Sequence, residues 1–257
     1  MVLDVFQEES SRQGLRGVLG VSAFDAVYSK LLEVQQARLK GICGSNFDEL
    51  MEGGSMIGIA YAYPNFAIDN IAVKRGRGFD RDRWNIYAQW YARLNEALNA
   101  TAERLARETG GIPIPATIAG VGRELNHVED YYGTVVSHRV VAEQAGIGWR
   151  GKNELIVNPR YGCAIRLASV VTPLPLERTA ETYKGCGDCR SCLDACAFLR
   201  EKDTLENYRE QCRRYMISLG LDDLVCGKCI KACVSSAIIK SVRGMDTRSS
   251  KGLVYYT

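Results

Sequence analysis

The sequence predicts an α+β protein in two parts, a body of mixed helices and strands over residues 1–176 and a cysteine-dense module over 177–257. Three observations carry this reading. Apolar residues recur at helical spacing in some segments and run continuously in others, with no single period dominating. Eight of the ten cysteines are confined to positions 186–233. Between the two regions lies TPLPLE (172–177), a proline-rich joint.

Residues 2–17 contain a short helical pattern, and GVLGVS (17–22) then suits a strand and turn. Ser22 precedes AFDAVYSKLLEVQQARLKG, where Phe24, Val27, Leu31, Leu32, Val34 and Leu39 recur near helical spacing; one helix closed by Gly41 is expected. The run SMIGIAYAYP (55–64), small and branched and ended by Pro64, reads as a buried strand. KRGRG (74–78) reads as a solvated basic loop, with contact to an anionic group as the alternative.

The longest helix is expected over 81–111. Trp84, Tyr87, Trp90, Tyr91, Leu94, Leu98 and Leu105 form its core stripe, and Gly110, Gly111 and Pro113 stop it. IPIPATIAGVG (112–122) is too rich in proline for a helix and reads as extended. Ser137–Ala145 looks helical and is broken sharply by glycines 146, 148 and 151. Glu154–Val157 and Ala164–Val171 look like strands about a turn at 158–162. So many glycines mean either tight turns or a backbone that closely approaches something. Past Cys233 come 24 residues, a mildly basic tail in which no further domain is expected.

Composition excludes several classes of protein. With 46% hydrophobic residues, 25% charged residues and a net charge of +3, the chain is ordinary for a soluble protein and too mildly basic to argue for nucleic acid. Its start, MVLDVFQEESSRQG, lacks the basic and apolar segments of a signal peptide. No apolar run approaches the roughly 18 residues of a membrane span. A monomer in the reducing cytoplasm, with no membrane association, is expected.

The cysteines make the strongest chemical statement. Cys186, Cys189, Cys192 and Cys196 follow C-x2-C-x2-C-x3-C, the spacing of bacterial two-cluster ferredoxins. Three thiolates two residues apart converge on one cubane, and the longer step turns the fourth toward a second cluster. Cys226, Cys229 and Cys233 are a shortened copy. Asp223 stands where its first cysteine would fall, and Cys212 is the nearby thiol that fills the gap. The crossed rule assigns Cys186, Cys189, Cys192 and Cys233 to one [4Fe-4S] cluster, and Cys196, Cys212, Cys226 and Cys229 to another. Zinc knuckles come as separated pairs and do not explain the four-cysteine run. Disulfides suit an oxidising compartment that nothing here indicates. Ala197 and Val234 replace the proline usual after such runs, and Cys43 and Cys163, outside the array, read as packed core residues.

AEQAGIGWRGKNELIVNPRYG (142–162), followed by this array, resembles the epoxyqueuosine reductases and, more distantly, is similar to the cobalamin-dependent reductive dehalogenases. The resemblance covers roughly residues 55–235. It implies a nitroreductase-like cobalamin-binding α+β domain followed by a ferredoxin-like module with two [4Fe-4S] clusters, through which electrons reach a corrinoid cobalt that reduces an electrophilic substrate. It places Gly146, Gly148, Trp149, Gly151, Lys152, Asn153, Asn158, Pro159, Tyr161 and Gly162 at the cofactor. Where the family has an aspartate proton donor, this sequence has Tyr132, with Tyr131 and Asp130 beside it, and a phenol is chemically able to serve. His138 replaces a glutamate of the family pattern and is a fourth catalytic candidate, and His127 reads as an exposed loop residue. The C-terminal helical repeats of many members have no counterpart in this sequence.

The expectation is therefore an oxidoreductase fed by a ferredoxin or flavodoxin and acting on a small molecule or a modified tRNA nucleoside. The alternative is an iron–sulfur electron-transfer protein, or a reductive activator of a partner's corrinoid.

Overall fold

The structure, a computed structural model, describes residues 1–71, 80–117, 132, 135–179, 183–236, 239 and 254–256. In chain order these form α1 (Val2–Gln13), β1 (Gly17–Ala23), α2 (Phe24–Tyr28), α3 (Glu33–Cys43), α4 (Phe47–Gly53), β2 (Ser55–Ala62), α5 (Asn65–Asp69) and α6 (Arg81–Thr109). There follow β3 (Ile112–Ile114), α7 (His138–Gln144), β4 (Trp149–Arg150), β5 (Ile156–Val157), β6 (Ile165–Thr172), α8 (Ser191–Ala195), α9 (Ala197–Arg200), α10 (Tyr208–Leu219), α11 (Lys228–Val234) and β7 (Val254–Tyr256).

Five strands form one antiparallel sheet in the order β3-β6-β2-β1-β7. Every residue of β1 and β2 is buried, which is why both read as unbroken apolar runs rather than as alternation. Alternation survives in what each face meets. Ile57, Ile59 and Tyr61 of β2 point to Phe6 of α1 and to Trp84, Leu94 and Leu98 of α6. On the opposite face Met56 joins Phe24 and Val141, while Ala60 and Ala62 join Ala142, Ala145 and Ile147. The body is thus a mixed α+β sheet covered on both sides.

Helix α6 starts where the Asp80 carboxylate caps the Arg83 amide and ends at Gly110, whose φ of 60° is the left-handed cap that favours glycine. Its stripe is buried as expected, with Trp90 and Tyr91 half-buried at its margin. The single helix expected from 23 to 41 is instead two. Ser22 lies inside β1, α2 ends at Tyr28, and α3 begins after Leu32 and runs past Gly41 to Cys43. Leu31 turns into the core while Leu32 stays exposed, and Gln36 Nε2 donates to the carbonyls of Tyr28 and Leu31 that the break frees.

The tail does not hang free of the body. Its residues Val254–Tyr256 pair antiparallel with β1. The cysteine module likewise shares the body's core: Leu219, Leu221, Val225 and Ile230 pack in the same cluster as Ile71, Trp84 and Tyr87. Trp84 Nε1 donates to the Cys226 carbonyl at 2.8 Å, and Asn85 exchanges two hydrogen bonds with Asp222. Among the described residues no helix is long and apolar enough to cross a membrane. The KRGRG loop and residues 118–122 lie outside the described residues.

Candidate functional site

Two glycines opposite each other on the sheet decide where the glycine-rich stretch sits. Gly20 and Gly58 are register partners on β1 and β2. A Cβ at Gly20 would stand 2.1 Å from the Ala145 carbonyl oxygen, and one at Gly58 would stand 2.9 Å from Ile147 Cδ1. Their absence lets the end of α7 lie directly on the strands. The chain then turns through Gly146, whose φ is 65°, into a hairpin of β4 and β5.

The close approach read from the remaining glycines is largely to the hairpin itself. A Cβ at Gly148 would meet the Val157 carbonyl oxygen at 2.3 Å, and one at Gly151 would meet Val157 Cγ2 at 2.7 Å. Buried Asn158 donates to the Ile147 carbonyl at 2.7 Å and accepts from the amides of Arg160 and Tyr161. Half-buried Pro159 lies in the turn these bonds hold. The turn is closed by the Asn158–Gly162 bridge, with Gly162 at φ 60°, and Tyr161 is buried beneath it.

The outer side of the hairpin meets the cysteine array. Trp149 Nε1 donates to Cys186 Sγ at 3.2 Å, and Lys152 Nζ donates to the Gly187 carbonyl at 2.7 Å. Tyr183 packs on the Trp149 ring and donates to the Gly146 carbonyl at 2.7 Å. Asn153 Nδ2 donates to Cys163 Sγ at 3.2 Å, and the Cys163 thiol lies beside Cys233.

All ten cysteines lie among the described residues, and no disulfide joins any two of them. Their neighbourhoods fall into two groups. Cys192 faces Cys233, Cys186 and Cys189. Cys212 faces Cys226 and Cys196, and Cys229 faces Cys226, Cys212, Cys196 and, last, Cys192. Burial, with mutual crowding behind it, pushes the Cys192 thiol up to about 11 and the Cys212 thiol up to about 12. For Cys226 burial again leads and gives about 11, against the opposing effect of Lys228. Such crowding disfavours thiolates until a cationic centre stands among them, which reverses the balance. A tetrahedral zinc with bonds of about 2.3 Å needs its sulfurs within about 3.8 Å of one another. Among the described residues no three His, Cys, Asp or Glu side chains close on a single ion in this way. Iron–sulfur clusters fit such a donor set, because each thiol reaches a different iron.

The catalytic candidates separate. His138 is buried under β6, with Nδ1 2.9 Å from Ser169 Oγ and Nε2 2.9 Å from the Pro115 carbonyl, so both ring nitrogens are engaged inside the protein. Desolvation pulls its ring down to about 4, against the opposing bond to Pro115. Tyr132 is half-buried, and its hydroxyl accepts from Arg209, whose guanidinium lies 5.5 Å from the ring centroid. Tyr131, Asp130 and His127 lie outside the described residues.

Sequence reasoning missed three features here. Arg209 and Lys202 of the module converge with Arg139 of α7 on Glu154, which holds a φ of 63°. Cys163 lies against the array rather than in plain core. Asn95 Nδ2 and the Tyr63 hydroxyl are buried without a hydrogen-bond partner among the described residues, although Tyr63 neighbours Tyr87. Arg166 lies close by and donates to Asn95 Oδ1 at 2.8 Å. All three arise from residues apart in sequence that the fold brings together, and no local signal marks them.

A covered α+β sheet and a docked module with two groups of thiols define the class: a mixed-fold protein built around an eight-cysteine centre. The chain resembles the epoxyqueuosine reductases in particular. No family model matches it. The epoxyqueuosine reductase of Listeria monocytogenes is 32% identical over 148 residues, covering 56% of this chain and 35% of that protein. The one from Bacillus anthracis is 28% identical over 195 residues, covering 70% of this chain and 46% of that protein. The chain thus spans about a third to a half of the curated relatives it matches. A solved epoxyqueuosine reductase from Streptococcus thermophilus aligns with a TM-score of 0.49 at 23% identity, over 93% of this chain and 66% of that one.

Proposed function

We propose that the chain is an oxidoreductase in which two [4Fe-4S] clusters deliver electrons to a corrinoid that reduces an electrophilic substrate of the epoxyqueuosine kind. The observation that carries the reading is the grouping of thiols across the sequence: Cys233 with the first run, and Cys196 with Cys212, Cys226 and Cys229. On this reading the body, residues 1–176, binds the corrinoid in the nitroreductase-like manner, and the two-cluster module is ferredoxin-like. The first group of thiols, touching Trp149 and Cys163, is the one beside the hairpin. The second lies toward α6 and α10, where an external ferredoxin or flavodoxin gives up its electrons.

A bound corrinoid would supply a cobalt centre able to give electrons to an electrophilic carbon, a reduction no side chain performs alone. This chain's residues hold it and manage the proton. Asn95 Nδ2, the Tyr63 hydroxyl and Arg166 are donors suited to the amide and phosphate oxygens of such a cofactor. Lys152 and Arg150 border the same hairpin. Tyr132 is the proton donor: Arg209 can only donate to the phenol oxygen, which leaves the phenol's own hydrogen to be given elsewhere. The substrate is a small molecule or a modified tRNA nucleoside, the compartment is the reducing cytoplasm, and the chain acts as a monomer.

A second reading, an iron–sulfur electron carrier or an activator of a partner's corrinoid, is favoured by one observation. Gly148, Asn153 and Asn158 are engaged within the hairpin rather than turned outward. Anaerobic reconstitution with iron, sulfide and hydroxocobalamin separates the readings. The proposal expects about eight irons per chain, from two four-iron clusters, and a retained corrinoid. Zinc in place of iron refutes both readings, and iron without a retained corrinoid leaves the carrier. If the corrinoid is retained, turnover of epoxyqueuosine as the free nucleoside and within RNA identifies the substrate.

A further inference from the structure

The two cysteines outside the array differ in what surrounds them. Cys43 is packed among the apolar side chains of α2–α4, and burial pushes its thiol up to about 11. Cys163 is as deeply buried, yet it accepts from Asn153 Nδ2 and lies beside Cys233. A thiol S–H is a donor, if a weak one. Fourteen residues earlier in sequence, on the hairpin, Trp149 presents a second donor, its indole N–H 3.2 Å from Cys186 Sγ. An indole N–H can only donate. Cys186 and Cys233 belong to the same group of thiols, although 47 positions separate them.

We propose that the glycine-rich hairpin and the cysteine that follows its turn set the reduction potential of the cluster nearest to them, through the hydrogen bond from Trp149 to Cys186 and one that the Cys163 thiol gives to Cys233. The proposal rests on the two-cluster reading above. Reduction adds one electron, supplied by the external low-potential carrier, and breaks no bond to the protein. The added charge spreads onto the thiolate sulfurs, so donors aimed at them favour the reduced state and raise the potential. Trp149 and Cys163 are positioning residues here, acting through the sulfurs and touching no substrate. Asn153 serves one step further out by orienting the Cys163 thiol.

Metal analysis followed by a reductive titration monitored by electron paramagnetic resonance tests this in the reconstituted full chain. Trp149→Phe and Cys163→Ala are each expected to move the same one of two reduction waves to lower potential and leave the other in place. The expected size is on the order of a tenfold fall in the ratio of reduced to oxidised cluster at fixed poise, about 59 mV for one electron. Cys163→Ser, which keeps a hydrogen to donate, should retain the wild-type wave. Unmoved waves, or different waves moved by the two variants, overturn the proposal while the metal content still upholds two clusters. A wild-type chain without iron fails the two-cluster reading itself, and the metal analysis reveals that before any titration. If Trp149→Phe does not fold, the contrast between Cys163→Ala and Cys163→Ser decides.

Discussion

Acidification should destabilise this protein through one buried ring. His138 accepts from the Ser169 hydroxyl at Nδ1 and donates to the Pro115 carbonyl from Nε2, the pattern of a neutral imidazole, since a carbonyl can only accept. Removal from water, reinforced by the nearby charge of Arg166, pulls the ring from its ordinary 6.5 to about 4. Above pH 6.5 neither the folded nor the unfolded chain binds this proton, and the stability linked to the ring is fully present. Below 6.5 the unfolded chain takes up the proton while the folded chain resists, so stability falls until about pH 4 and then levels off. At about 1.4 kcal/mol per pH unit across that window, the loss is about 3 kcal/mol. For a domain of this size that is on the order of 10 °C in Tm. Denaturation followed by tryptophan fluorescence between pH 7.5 and 4 measures it, with His138→Gln as the reference. Carboxylate titration, and acid loss of the proposed clusters, are common to both proteins and cancel in the difference. The steeper fall of the wild type between pH 6.5 and 4 is the signature, whatever the offset at neutral pH. Parallel profiles would refute the reasoning, as would a His138 nuclear magnetic resonance titration centred near 6.5; with two histidines in the chain the signal is readily assigned. A ring engaged in this way has no nitrogen for a substrate, so His138→Gln should leave turnover within a few-fold of wild type.

Three further outcomes are expected. Cys196→Ser combined with Cys212→Ser should remove no more iron than either alone, whereas Cys196→Ser combined with Cys192→Ser should remove nearly all; iron analysis that pairs Cys196 with Cys192 would overturn the crossed assignment. Gly20→Ala places a methyl 2.1 Å from the Ala145 carbonyl oxygen and should cost about 1–3 kcal/mol, measured by chemical denaturation, because the end of α7 must lift from the sheet. Tyr132→Phe should lower turnover by on the order of a hundredfold while cluster reduction, followed by absorbance, proceeds at the wild-type rate; unchanged turnover would assign the proton to another group.

What could be read from the sequence depended on how far apart the interacting residues lie. The β2 strand was visible because a strand buried on both faces is apolar at every position, and α6 because its stripe and its stops are local. The break between α2 and α3 was not visible. Phe24, Val27 and Leu31 keep helical spacing across it, and the break is held by the core's claim on Leu31 and by Gln36 reaching back to the freed carbonyls. The array followed its own local spacing, but Cys163 acquires its neighbour only when the hairpin folds onto the module. The glycine-rich stretch lies between these cases. Its glycines leave tight turns and a close approach equally open; Gly148 makes a close approach, to Val157, and the space for the segment comes from Gly20 and Gly58 on strands far upstream. On the proposed function this arrangement bears on electron delivery. The hairpin is fixed to the sheet on one side and to Cys186 and Gly187 on the other. A group held by the hairpin therefore stays at a constant separation from the first group of thiols, and the body cannot move relative to the array without breaking those bonds.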